Sequence, residues 1–134
     1  MATVVDFTIE EPATGELFPE GVRIVKWASL ADGDSGTPYR APHYADKSVQ
    51  VSGTPGAGGN CRIQGSNVAN GVSVVYGTLN DPQGNVLDFT AADVTANKLE
   101  EVLENSYLIR PTITAGDTTT AISVRLLIST VSKR

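Results

Sequence analysis

Nucleophilic catalysis requires a nucleophile, a base within its reach and a third group to orient that base. This chain holds one imidazole and one thiol from which to build such a site: His43 stands between Pro42 and Tyr44, and Cys61 stands beside Arg62. No motif surrounds either residue, so a packed or solvent-facing histidine and a core cysteine are the stronger readings. Pairs of carboxylates can act on a glycosidic bond. The acids here cluster at Glu10 and Glu11, at Asp32 and Asp34, at Asp81 and Asp88, and at Glu100, Glu101 and Glu104. The first and last of these groups read as solvated edges. Asp32-Gly33-Asp34 has the Asp-x-Asp spacing of a calcium loop but lacks the bidentate glutamate and the remaining ligand series. Residues 53–59 are dense in glycine, yet no Lys-Ser/Thr follows and no helix opens after them, as a phosphate cradle requires. They read as a turn that needs positive φ. A single cysteine excludes an intramolecular disulfide, and a single histidine excludes a multi-histidine metal site. The expectation is no catalytic residue, no cofactor and no metal.

Charge and composition narrow the partners. The 134 residues carry 10 Lys+Arg against 15 Asp+Glu, a net charge of -5. Neither nucleic acid nor an anionic membrane would meet a basic surface. No run approaches the ~18 apolar residues needed to span a bilayer. Residues 1–7 lack the positive region and apolar stretch of a signal peptide, so the chain is expected to stay in a cytosol or to be assembled there. Aromatic residues make up only 6% of the chain, whereas a sugar-binding surface presents a row of exposed rings. Trp27 and Tyr76 fall on strands and read as core, while Tyr39 and Tyr44 fall in a long loop and are the better surface anchors.

The elements that must position these residues are strands. Val, Ile and Thr supply about a quarter of the chain, and their β-branched side chains suit a pleated surface. Alternation predicts strands over 3–9 and 22–30, followed by a long irregular loop over 31–45 that proline and glycine keep from forming a helix. Residues 48–52 and 60–64 read as a hairpin across the glycine-rich turn, and 72–79 with 85–90 as a second one around Asn80-Asp81-Pro82-Gln83-Gly84. Residues 91–97 suit a short helical turn, and 101–103 lean to strand. The last strands cover 107–114 and 119–130, joined by a tight polar turn at 115–118. Ile122, Val124, Leu126 and Ile128, set against Ser123, Arg125, Leu127 and Ser129, form the clearest period-two pattern. The fold class expected is all-β: an antiparallel β-sandwich, most simply a jelly roll, of about eight strands with an extended N-terminal segment. Residues 1–21 form an N-terminal strand and arm, and 22–134 form a single sandwich domain with the long loop 31–45.

Several segments carry a resemblance. Val49-Gln50-Val51-Ser52-Gly53-Thr54, Ile63-Gln64-Gly65-Ser66-Asn67 and Leu79-Asn80-Asp81-Pro82-Gln83-Gly84-Asn85 resemble the tailed-bacteriophage capsid decoration (cement) proteins. So do Phe89-Thr90-Ala91, Glu101-Val102-Leu103-Glu104, Ile109-Arg110-Pro111 and Thr114-Ala115-Gly116-Asp117. The similarity spans residues 47–128 and rests mainly on turn signatures; Asn67-Val68-Ala69-Asn70-Gly71 departs from it in lacking an aromatic. The resemblance implies a non-enzymatic structural virion protein, assembled in the host bacterial cytoplasm, that binds the capsid exterior and bridges major capsid protein subunits. It implies as partners the major capsid protein and a second or third copy of the chain, with no direct nucleic acid and no membrane. On the expectation that the segments 1–21 and 31–45 are the gripping arms, Phe7, Leu17, Phe18, Trp27, Tyr39, Arg40, His43 and Tyr44 are the candidate interface residues. The alternative is a carbohydrate- or receptor-binding module of a phage tail or fibre.

Overall fold

The period-two pattern near the C-terminus becomes the centre of a sheet. A computed structural model describes residues 2–10, 22–41, 46–68 and 73–129. Strand β12 (Ala121–Ser129) buries Ile122, Val124, Leu126 and Ile128 and turns Ser123, Arg125 and Leu127 outward. It lies between β6 (Asp46–Thr54) and β3 (Val22–Leu30), antiparallel to both. The short strands β10 (Leu99–Glu101) and β2 (Thr8–Ile9) complete this five-stranded sheet in the order β10-β6-β12-β3-β2. A bulge interrupts the β3 ladder: Ser29 takes a positive φ of 56°, and the hydroxyl of Ser123 accepts its backbone N–H at 3.1 Å.

The second sheet is built on β11 (Leu108–Ala115) and β7 (Asn60–Ser66), which pair from Leu108↔Ser66 to Ala115↔Asn60. Along its margins lie two-residue strands: β1 (Val4–Val5), β4 (Ser35–Gly36), β5 (Tyr39–Arg40), β8 (Gly77–Thr78) and β9 (Asp88–Phe89). The two sheets pack around one core to which both contribute, including Trp27, Leu30, Val49, Ile63, Phe89, Ile109 and Leu126. The protein is an all-β sandwich. The one helix among the described residues, α1 (Ala91–Thr95), is a single turn, closed by a capping box between Thr90 and Asp93. It is far too short to cross a membrane.

Several elements differ from the sequence expectation. The run 48–52 and 60–64 is no hairpin, because β6 belongs to the five-stranded sheet and β7 to the seven-stranded one. Residues 55–59 form an arch from one sheet to the other, and residues 116–120 form a second arch from β11 to β12. Alternation says which face a residue occupies and is the same for a hairpin and an arch. The second predicted hairpin forms only over 79–81 and 85–87, around the Asn80↔Val86 bridge; β8 and β9, on either side of it, do not pair with each other but follow one another along β7, both antiparallel to it. The expected loop 31–45 contains β4 and β5, both paired with β11; residues 42–45 lie outside the described residues. The strand expected at 101–103 is displaced to Leu99–Glu101.

The N-terminal strand expected over 3–9 splits in two. β1 pairs in parallel with β4 in one sheet, and β2 pairs with β3 in the other. Phe7, at the crossing, inserts its ring edge-on against Tyr39 (centroids 5.1 Å apart) and Trp27 (6.1 Å). Residues 2–10 are therefore woven into both sheets. Residues 11–21, the rest of the expected arm, lie outside the described residues.

Candidate interaction surface

Among the described residues, the aromatic members of the predicted interface, Phe7, Trp27 and Tyr39, gather into a plug inside the sandwich. Trp27 is 1% exposed, and its indole N–H donates to the carbonyl of Thr37 at 3.0 Å. Tyr39, expected as a surface anchor, is buried, and its hydroxyl accepts from Arg23 Nη1 at 3.0 Å. Neither ring offers a surface, since each packs against Phe7, which stays half-buried. Arg40 is the exposed member, and a hydrogen bond with the Tyr107 side chain holds its guanidinium above the ordinary arginine value. Leu17, Phe18, His43 and Tyr44 lie outside the described residues. Tyr76, expected in the core, is half-buried instead, with the Arg110 guanidinium 3.7 Å above its ring.

Among the described residues weighed for chemistry, Cys61, Asp34 and Asp81 have structural roles. Cys61 is fully buried, and desolvation pushes its thiol up to about 12, so it stays protonated at neutral pH and is a poor nucleophile. Asp34 is buried, and its two carboxylate oxygens accept the backbone N–H groups of Thr3 and Ala31, both at 2.9 Å. That closes the 31–34 turn and pins the N-terminus to it. Asp81 likewise accepts from the N–H groups of Gln83 and Asn85 and shapes the hairpin turn.

The surface the sequence reading missed is the outer face of the five-stranded sheet. Pairing places Leu127 opposite both Ile24 and Ser48, and Arg125 opposite both Lys26 and Gln50. Leu99, opposite Gln50 on β10, is 61% exposed. Ile24, Leu127 and Leu99 thus form an apolar stripe over two adjoining shallow depressions of about 340 and 230 Å³, which share Ser48, Leu99 and Leu127. Asp46, Glu100 and Glu101 rim the first depression. At the other side Arg125 Nε donates to both carboxylate oxygens of Glu10, at 3.0 and 3.1 Å, and Lys26 approaches the same carboxylate at 3.9 Å. The signal was present in the sequence: Leu127 is the single large apolar residue on the polar side of the β12 pattern.

Among the described residues, this sheet face has an apolar middle and an acidic margin and lies open to solvent. No protein-family model matches this chain, and no curated protein matches it.

Proposed function

We propose that this chain is a structural virion protein that binds the outside of a tailed-phage capsid and stabilises the shell by bridging major capsid protein subunits. The turn signatures over residues 47–128 support the identity of the shell. The observation that carries the binding role is the apolar stripe of Ile24, Leu99 and Leu127 on a sheet face that no described element covers. Its acidic margin of Asp46, Glu100 and Glu101 favours a partner segment that carries apolar residues beside lysine or arginine. A specific contact of this kind buries about 1,200–2,000 Å² in total, so the stripe is its centre rather than its whole extent. The jelly-roll arrangement is part of the same proposal: two arches lie side by side and carry adjacent strand pairs from sheet to sheet, as a rolled hairpin does. Self-association into a closed dimer or trimer completes the reading.

The alternative, a carbohydrate- or receptor-binding module of a tail or fibre, needs a row of exposed rings. Among the described aromatic residues Trp27 and Tyr39 are interior and Arg110 covers Tyr76, which favours the capsid reading.

The test is occupancy on capsids stripped of this protein. Leu99→Arg and Leu127→Arg, both at exposed or half-buried outward positions, are expected to weaken binding by roughly tenfold or more each, since about 1.4 kcal/mol is a factor of ten. Wild-type occupancy for both variants would overturn the assignment of this face, and no binding by the wild-type chain would overturn the capsid reading. Removing residues 1–21 is a poorer test than the sequence suggests, because β1 and β2 belong to the two sheets.

A further inference from the structure

One buried charge lies at the edge of that surface and turns its side chain away from it. Lys47 shares the inward parity of Val49 and Val51 on β6 and is only 2% exposed. It is the only lysine or arginine among the buried polar residues described. Its Nζ donates a hydrogen bond to Oδ1 of Asn105, 58 positions further along the chain. The segment that carries Asn105 is held on both flanks. Val102 N–H donates to the Lys47 carbonyl at 3.0 Å, and Leu103 N–H to the Asn80 carbonyl at 2.8 Å. The Glu104 carboxylate accepts from Asn80 N at 2.7 Å and from Asn80 Nδ2 at 2.6 Å. On the far side the Ser106 hydroxyl donates to the Leu108 carbonyl at 2.8 Å.

We propose that Lys47 and Asn105 are a site of spontaneous intramolecular cross-linking, in which the lysine amine and the asparagine carboxamide condense to an isopeptide bond with loss of ammonia. In the step, the Nζ lone pair of neutral Lys47 attacks Cγ of Asn105 and forms the new C–N bond. A proton leaves Nζ and reaches Nδ2, the Cγ–Nδ2 bond breaks, and ammonia departs. No oxidant or cofactor enters, and the product is an ordinary secondary amide. Three features of the site favour it. Contact between the two groups replaces a bimolecular encounter with an intramolecular one. Burial lowers the Lys47 ammonium below the ordinary lysine value, against the opposing pull of Asp46 and Glu104, and so raises the share of nucleophilic amine. Asn105 itself is exposed, which leaves ammonia a path to solvent.

The bond ties the first residues of β6 in one sheet to the segment that leads into β11 of the other. In a chain whose single cysteine excludes an internal disulfide, it supplies the covalent brace that a load-bearing sandwich otherwise lacks.

Intact mass spectrometry of the denatured full chain reads the bond directly. The wild type is expected to be lighter than its Asn105→Ala variant predicts by the mass of one ammonia, and a digest is expected to contain one branched peptide joining Lys47 to Asn105. Lys47→Met is expected to restore the full mass. Because that variant alters the core and its folding is at risk, the exposed Asn105→Ala variant is decisive. A full-mass wild type with Lys47 and Asn105 on separate peptides would overturn the proposal, and so would an ammonia deficit that persists in Asn105→Ala. None of these outcomes depends on whether the chain binds a capsid.

Discussion

The two ends of the sandwich solve the same problem with opposite chemistry. At one end the chain crosses between sheets twice, and the two arches are clasped by polar groups. Asp117 accepts from the Thr119 hydroxyl at 2.6 Å and from the N–H groups of Thr119 and Ala57, both at 2.8 Å. The Thr120 hydroxyl donates to the Pro55 carbonyl at 2.8 Å. At the other end a buried lysine reaches the segment between β10 and β11. Each group is shifted by its setting. Hydrogen bonds from Thr119, then from Ala57, stabilise the Asp117 carboxylate and lower its pKa to about 2, whereas loss of water destabilises the Lys47 ammonium. The polar arch end gains from holding its charge, and the lysine end is strained by holding one. That difference is why a clasp suffices at the first and a covalent bond is the natural resolution at the second.

The largest expected effect tests whether the arch end is the rigid one. Gly53 has φ +108°, and a Cβ there would lie 2.4 Å from the backbone oxygen of Ala121; a Cβ on Gly59 would lie 1.9 Å from that of Pro55. Gly53→Val or Gly59→Ala is expected to cost about 3 kcal/mol or more in urea unfolding, because both clashes are with backbone. Next comes the lysine end. Glu104→Ala strands the two Asn80 donors and is expected to cost about 1–3 kcal/mol. If the Glu104 change proved the more damaging, the order of the two ends would be reversed.

The third effect is smaller and depends on pH. The folded value of Asp117, about 2, lies below its ordinary 3.8. Its contribution is therefore complete above the ordinary value and is lost as pH falls through about 2. The stability gap between wild type and Asp117→Asn should close across that acid range, and a gap constant down to about 2 would remove the charge from the explanation. Lys47 changes stability in the same direction with pH but in the alkaline range, by losing a penalty rather than gaining a stabilisation. In the uncross-linked Asn105→Ala chain, its burial penalty should ease as pH rises toward the ordinary lysine value of 10.5, so the urea midpoint should move up in alkali. The smallest effect is at Leu99, where Leu99→Ser should leave stability within about 0.5 kcal/mol while weakening capsid binding. A large loss of stability there would make the stripe part of the core.

Legibility in the sequence followed local physics. β3 begins and ends where alternation and its flanking residues place it, at Val22–Leu30, and the turn at Asn80–Gly84 is closed by the Asp81 carboxylate, as its sequence implies. The first helical turn is where Thr90 and Asp93 can cap it. The misreadings were non-local. Tyr39 lies among prolines and glycines, which signals a loop, yet Phe7, itself packed against Trp27, closes over it. Lys47 stands just before the alternating run 48–52, and its parity with Val49 and Val51 directs it inward. The Ile24–Leu99–Leu127 stripe brings together three strands that are distant in the chain, and no window of sequence contains it.

What the sequence determined alone is the β class, the inward and outward faces of the long strands, the turn chemistry and the absence of any internal disulfide. These follow from steric preferences and period-two geometry, which act over a few residues. Only the tertiary structure decided that the glycine-rich segment 55–59 is an arch rather than a hairpin, that the N-terminal strand is shared between two sheets, and that Lys47 meets Asn105. Alternation assigns a side chain to a face and leaves its neighbour open; the neighbour is chosen when two sheets close over one core.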